Sequence, residues 1–286
     1  MPAENSSSQK GLGVARRVAK RFAALPQVEA VALAGSRAAE LSDAGSDVDL
    51  YVYVSEDIPL EMRAKIAADA QRAEIGNNTW EPGDEWTDGA TGIRVDVMYR
   101  HIGWIEEQLD RVLVRHQASA GYSTCFWYNV LHSRILFDRT GWFEGLQRRA
   151  SRGYPEELRR AIIAKNSPLL RSNQSSYLHQ IELAAMREDV VSANHRVAAL
   201  LASYFDVLFA VNELPHPGEK RLLQHAGASC GKLPAEMERQ VTELVASVGK
   251  PQGRTVDRVN ALLDGLDELL RREKLITSGG NFAAET

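Results

Sequence analysis

The chain has 286 residues, 44% of them apolar and 25% charged, with a formal charge of −4 and a pI near 6.0. This balance excludes a disordered chain, supplies material for a core, and suits two ordinary domains. It speaks against a general polyanion binder, whose backbone-driven contacts show as a basic excess; a local basic cleft stays open, so nucleic acid is an unlikely partner rather than an excluded one.

Cys125 and Cys230 stand far apart in no paired motif, so neither a disulfide framework nor a zinc site is indicated. Met1 to Lys10 is polar and serine-rich, without the apolar centre of a secretory signal, and no apolar run approaches the length of a membrane span. A soluble, cytoplasmic protein with no membrane partner is expected.

Residues 1–9 and 278–286 have the small, polar composition of flexible termini. From Gly11 to Ala24 the apolar residues Val14, Val18 and Phe22 recur at helical spacing, and Pro26 ends that helix before a strand at Val28–Ala34. A second helix is expected from Ser36, then a strand carrying Asp47-Val48-Asp49-Leu50, then a helix from Pro59 to Arg72. Residues 76–90 are rich in turn formers and read as a loop or hairpin. Gly92–Tyr99 alternates and reads as a strand with Asp96 at its centre.

Helical patterns follow over 103–118 and 124–132, with a short strand at Arg134–Phe137. Beyond Gly153-Tyr154-Pro155 the pattern is nearly all helical. Val190, Ala193, Val197, Leu201, Phe205 and Leu208 form one apolar stripe, and Val256, Val259, Leu263, Leu266 and Leu270 another. The expected organisation is a first domain at 10–150 and a helical bundle at 151–277. The turn Pro215-His216-Pro217-Gly218 stands between helices and puts Lys220 in the first turn of the next one.

The chemistry concentrates at Asp47 and Asp49. In a strand, alternate side chains share a face, so these carboxylates project together while Val48 and Leu50 turn to the core. Asp is depleted in strands and a buried unpaired carboxylate is costly, so a hard cation is the natural relief. Mg²⁺ takes few protein carboxylates and fills its sphere with water and phosphate oxygens, which makes a nucleoside triphosphate the matching partner. Gly35-Ser36, closing the preceding apolar run, would offer backbone N–H groups and a hydroxyl to phosphates.

Gly35-Ser36, Asp47-Val48-Asp49 and Val95-Asp96-Val97 together resemble, in order and spacing, the nucleotidyltransferase superfamily with a DNA-polymerase-β-like palm. The resemblance covers residues 28–100. Within that superfamily it is nearest to the bacterial aminoglycoside and lincosamide nucleotidyltransferases. It implies an α+β fold, a mixed sheet with flanking helices, followed by the helical bundle. It also implies Asp47, Asp49 and Asp96 holding two Mg²⁺ ions, with ATP as co-substrate and AMP transferred to a hydroxyl of a small acceptor such as an aminoglycoside or lincosamide. Glu85-Trp86 resembles the Glu-Trp of streptomycin-type adenylyltransferases, whose glutamate is the general base. The interval from Glu85 to Asp96 is shorter here, so Glu85, Glu81 and Asp96 all stand as candidate bases.

Arg37 and Ser46 would contact the triphosphate or merely cap and solvate, and Lys220 would meet an anion or stay solvated. Asp84, Glu85 and Asp88 are expected to form an acidic loop attractive to a polycationic acceptor. Trp80 and Trp86 would stack on a sugar or base, or fill an interdomain contact. The histidines show no metal spacing, and the Arg111, His116 pair matches a ribonuclease spacing too short to exceed chance. A tRNA end or a protein hydroxyl is the alternative acceptor, and a silent nucleotide-binding module the alternative class.

Overall fold

A computed structural model describes residues 2–34, 47–79, 81–249 and 254–276. The chain divides into two compact units, Met1–Asp110 with Asn129–Gly153, and Arg111–Tyr128 with Tyr154–Thr286.

The first unit is built on a six-stranded sheet. Its strands are β1 (Val28–Leu33), β2 (Val48–Val54), β3 (Ala70–Asn77), β4 (Gly83–Asp88), β5 (Arg94–His101) and β6 (Arg134–Asp138), in the order β3-β4-β5-β2-β1-β6. Only β2 and β5 pair in parallel; every other pair is antiparallel. The sheet is mixed, the fold is α+β, and helices flank it as expected.

Strand alternation gives the sheet two different faces. On one, Val31, Leu33, Val48, Leu50, Val52, Val95, Val97 and Trp86 join Val14, Val18 and Phe22 of α1 (Pro2–Ala23) and Ile66 of α2 (Leu60–Ile66) in a single buried core. Burying a large apolar side chain contributes about 1.5–3 kcal/mol, so this layer fixes which face each strand turns inward. On the other face, Tyr53 packs on Trp142 and Phe143 of α5 (Trp142–Ala150), with ring centroids 5.5 and 4.8 Å away. Between these elements come α3 (Ile102–Leu113) and α4 (Cys125–His132).

One buried ionic knot closes the core side of the hairpin. Asp84, 1% exposed, accepts a fork from Arg63 of α2, the Tyr99 hydroxyl at 2.6 Å and the Gly76 N–H at 2.7 Å. Gly76 sits at φ +81°, a left-handed conformation that glycine adopts without strain, and this turn aims its N–H at the carboxylate.

The second unit is helical: α6 (Glu156–Ser167), a π-helical turn (Pro168–Ser172), α7 (Tyr177–Met186), α8 (Val190–Val211), α9 (Leu222–Ser229), α10 (Met237–Ser247) and α11 (Arg254–Arg272). Its centre is α8, buried continuously from Ala202 to Val211. There Asp206 accepts from Ser123 N and Oγ and from Asn166 Nδ2, while Asn166 Oδ1 receives the Gly121 N–H. These bonds tie residues 119–123 to this unit. Burial pushes the Asp206 carboxyl up to about 7 despite those donors.

Four expectations change. Helix α1 starts at Pro2, so the serine-rich segment read as a flexible terminus continues the helix. The helix expected to reach Arg72 stops at Ile66, and β3 begins at Ala70; 76–90 falls in the β3–β4 hairpin. In the α8 stripe, Val190 is exposed and Leu201 only half-buried. Lys220 precedes α9 rather than lying in its first turn, because Arg221 takes a left-handed φ of 55° as N-cap. The helix expected from Ser36 and the terminus 278–286 lie outside the described residues. Among the described residues no helix is long and apolar enough to cross a membrane.

The Asp84 knot gives a direct test. Removing one partner of a buried pair costs about 3–5 kcal/mol, so Arg63→Ala should lower the unfolding midpoint in urea by an amount equivalent to about 3 kcal/mol. A shift below about 0.5 kcal/mol, the usual scale of a surface change, would show that the knot adds no stability.

Candidate functional site

The parallel register of β2 and β5 aligns Val48 with Val95, Asp49 with Asp96 and Leu50 with Val97. Valine and leucine on either side are buried in the core, which forces Asp49 and Asp96 onto the opposite face, side by side. The antiparallel register of β4 sets Glu85 against Asp96, and that of β3 sets Glu74 against Glu85. Glu74, Glu85, Asp96 and Asp49 therefore form one acidic row across four adjacent strands.

A second row lies two residues along. Arg72 pairs with Thr87 and Thr87 with Arg94, and Arg94 forks onto Asp47, Nε to Oδ1 at 2.9 Å and Nη2 to Oδ2 at 2.8 Å. Seven of these side chains, Asp47, Arg72, Glu74, Glu85, Thr87, Arg94 and Asp96, line one cleft of about 390 Å³.

The acidic row is electrostatically unsettled. Burial, then the neighbouring carboxylates of Asp49, Glu85 and Asp47, push the Asp96 carboxyl up to about 6. Like charges at this spacing disfavour ionisation, and a cation between them reverses the effect. On the far side of the row Arg100, 4% exposed, lies over the Tyr51 ring at 3.7 Å and forks onto Glu81 at 3.0 and 2.9 Å. Glu81 is thereby engaged in an ion pair, whereas Glu85 is exposed and accepts one bond from Asn77 Nδ2 at 3.1 Å.

The donor set suits a hard divalent cation: oxygen ligands only, with two carboxylates directly apposed and a third beside them. As they stand, no three His, Cys, Asp or Glu side chains among the described residues converge to enclose a metal ion. The strand register, fixed by buried neighbours, sets Asp49 beside Asp96 whatever rotamers the two carboxylates take.

Other expectations fare differently. Gly35, Ser36, Arg37 and Ser46 lie outside the described residues, as does Trp80. Lys220 is an exposed residue of the second unit. The acidic loop is corrected: Asp84, Glu85 and Asp88 sit on a strand, and alternation sends the two aspartates to the core face, where Asp84 meets Arg63 and Asp88 meets Arg17 and Thr91. Trp86, 6% exposed, belongs to the same core and not to a stacking platform. Sequence reading missed Arg72, Glu74 and Arg94. Arg94, two residues before Asp96 in an alternating strand, carried a usable signal, while the other two required β3.

Residues 127–221 match a family described as Domain of unknown function (DUF4037). No curated protein matches the chain. Among solved structures it is similar to a nucleotidyltransferase-like protein from Exiguobacterium sibiricum 255-15, at 16% identity over 90% of this chain and 73% of that one, with a TM-score of 0.42. It is also similar to the Thermotoga maritima CCA-adding enzyme complexed with tRNA, at 12% identity over 92% of this chain and 66% of that one, with a TM-score of 0.32.

The raised Asp96 carboxyl predicts a pH-dependent cost. The folded state holds this proton more tightly than the unfolded chain, so stability falls as pH rises from the ordinary carboxylate value of 3.8 through about 6. Asp96→Asn escapes that loss. The variant should be more stable than wild type at pH 7.5 by roughly 1 kcal/mol, the linkage being discounted because the group is partly hydrated. It should show no such advantage at pH 4, as measured by urea unfolding at both pH values. An equal offset at the two would sink the electrostatic account.

Proposed function

We propose that this chain is a divalent-metal-dependent nucleotidyltransferase that moves a nucleoside monophosphate, AMP from ATP, onto a hydroxyl of a small acceptor. The observation that carries the reading is the in-register apposition of Asp49 and Asp96 across parallel β2 and β5, with Glu85 on the next strand. Its sequence support is the ordered Gly35-Ser36, Asp47-Val48-Asp49 and Asp96 pattern.

Asp47, Asp49 and Asp96 would hold two Mg²⁺ ions, which when bound neutralise a triphosphate and stabilise departing pyrophosphate. The chain's own groups do the rest. Asp49 and Asp96 present ligand oxygens at fixed spacing, because each is flanked by buried residues that lock its strand. Glu85 is the stronger candidate to accept the acceptor's proton, being exposed at the cleft, while Glu81 is engaged with Arg100; Asp96 remains the other candidate. Gly35, Ser36, Arg37, Ser46 and Lys220 are proposed phosphate contacts.

For the acceptor we propose a small, hydroxylated, polycationic molecule of the aminoglycoside kind, or a lincosamide. The acidity that supports a cationic acceptor comes from Glu74 and Glu85 at the cleft.

Incubation with labelled ATP and Mg²⁺ should put label on a small hydroxylated acceptor in wild type and none in Asp49→Asn, with unchanged circular dichroism. Glu85→Gln should slow transfer by about 10²–10⁴-fold, the usual range for loss of a general base. Undiminished turnover in Asp49→Asn would overturn the assignment of the carboxylates. Label found only on added RNA or protein would overturn the acceptor class.

A further inference from the structure

Arg94 and Asp47 do not form an ordinary surface pair. The guanidinium engages both carboxylate oxygens, at 2.9 and 2.8 Å, so the planar fork takes up the oxygens a metal would need. Yet Arg94 is 71% exposed, and a solvated pair of this kind is weak, a bias of at most about fivefold. The contact is thus specific in geometry and easily broken. Its position matters as well: Arg94 stands two residues from Asp96 on the same face of β5, and Arg72 stands on the same row across Thr87, with both lining the cleft of the acidic row.

We propose that Arg94 switches partners during ligand loading. Its guanidinium, held on both Asp47 oxygens, occupies the place a divalent cation would take there. When a metal takes that carboxylate, Arg94 is released and holds a phosphate oxygen of the triphosphate, with Arg72 beside it. The inference rests on the nucleotidyltransferase reading and deepens it by naming a residue that couples the two ligands. No bond is made or broken beyond the exchange of one ionic partner for another. Arg72 and Arg94 form a cationic row parallel to the carboxylate row, so a chelated polyphosphate can meet metal on one row and guanidinium on the other.

The proposal demands opposite effects on two ligands, which a merely structural tether would not produce. Mn²⁺ binding to the full-length chain without nucleotide, followed by the paramagnetic resonance of the free ion, should be about two- to fivefold tighter in Arg94→Gln than in wild type, since a competitor is removed. In saturating Mn²⁺, binding of a nonhydrolysable ATP analogue should be about ten- to a hundredfold weaker in the same variant, the loss expected for a charge-assisted hydrogen bond. Arg94→Lys keeps the charge without the fork and should fall between them on both measures. Asp47→Asn should weaken Mn²⁺ binding.

The outcomes separate the two readings. If wild type binds Mn²⁺ and Asp47→Asn weakens it, but Arg94→Gln moves both affinities the same way or neither, the switch is wrong while the metal site stands. If folded wild type binds no Mn²⁺ at all, the nucleotidyltransferase reading falls and takes the switch with it.

Discussion

Everything at the candidate site depends on the parallel pairing of β2 with β5. Parallel strands bring like ends together, so acidic residues early in each strand meet at one end of these two interior strands. In an antiparallel pair Asp49 would have met the far end of β5, near Arg100, and no carboxylate row could form. The connection that permits the pairing runs through α2, β3 and β4 before returning as β5 between β4 and β2. The same excursion therefore supplies Glu85 and Glu74 to the row from the other side.

Side-chain alternation then decides which acids are buried and which face the cleft. Asp84 and Glu85 are neighbours in sequence with opposite fates. Asp84 turns inward, where Arg63, Tyr99 and Gly76 surround it, and Glu85 turns outward beside Asp96. The inward acid is fully compensated and holds the hairpin to α2. The outward acids repel one another, and burial, with that repulsion added, raises the Asp96 carboxyl. A one-residue slip of β4 would exchange these roles, and the buried Trp86 beside Val95 prevents that slip.

Much of this was legible in the sequence, for reasons that differ by strand. Val28–Leu33, Val48–Val54 and Arg94–His101 carry buried apolar residues on at least alternate positions, so their periodicity and the facing of Asp49 and Asp96 could be read directly. The edge strand β3 could not. Its residues Ala70 to Asn77 are mostly exposed on both faces, leaving no alternation to detect, and Ala, Gln, Arg and Glu favour helix intrinsically. Glu74 and Arg72 were lost with it. The grouping of residues 111–128 with the helical unit was also hidden, because it rests on Gly121, Ser123, Asn166 and Asp206, bonds between residues distant in sequence that no local pattern announces.

On the proposed reading, the charge on this face constrains the order in which ligands can arrive. Among the described residues of the two rows, Asp47, Asp49, Glu74, Glu85 and Asp96 outnumber Arg72 and Arg94, while Arg100 is taken up by Glu81, so this part of the face is acidic and disfavours a bare polyphosphate. On the proposed reading, carboxylates neutralised by arginines alone would leave nothing to attract a metal, and carboxylates left wholly uncompensated would repel one another. An exposed, breakable fork such as that of Arg94 with Asp47 lies between these extremes. On the proposed reading, it lowers the repulsion by an amount small enough for a divalent ion to displace it. On the proposed reading, metal entry turns an acidic face into one that can accept a triphosphate, and the cation must therefore come with the nucleotide or before it.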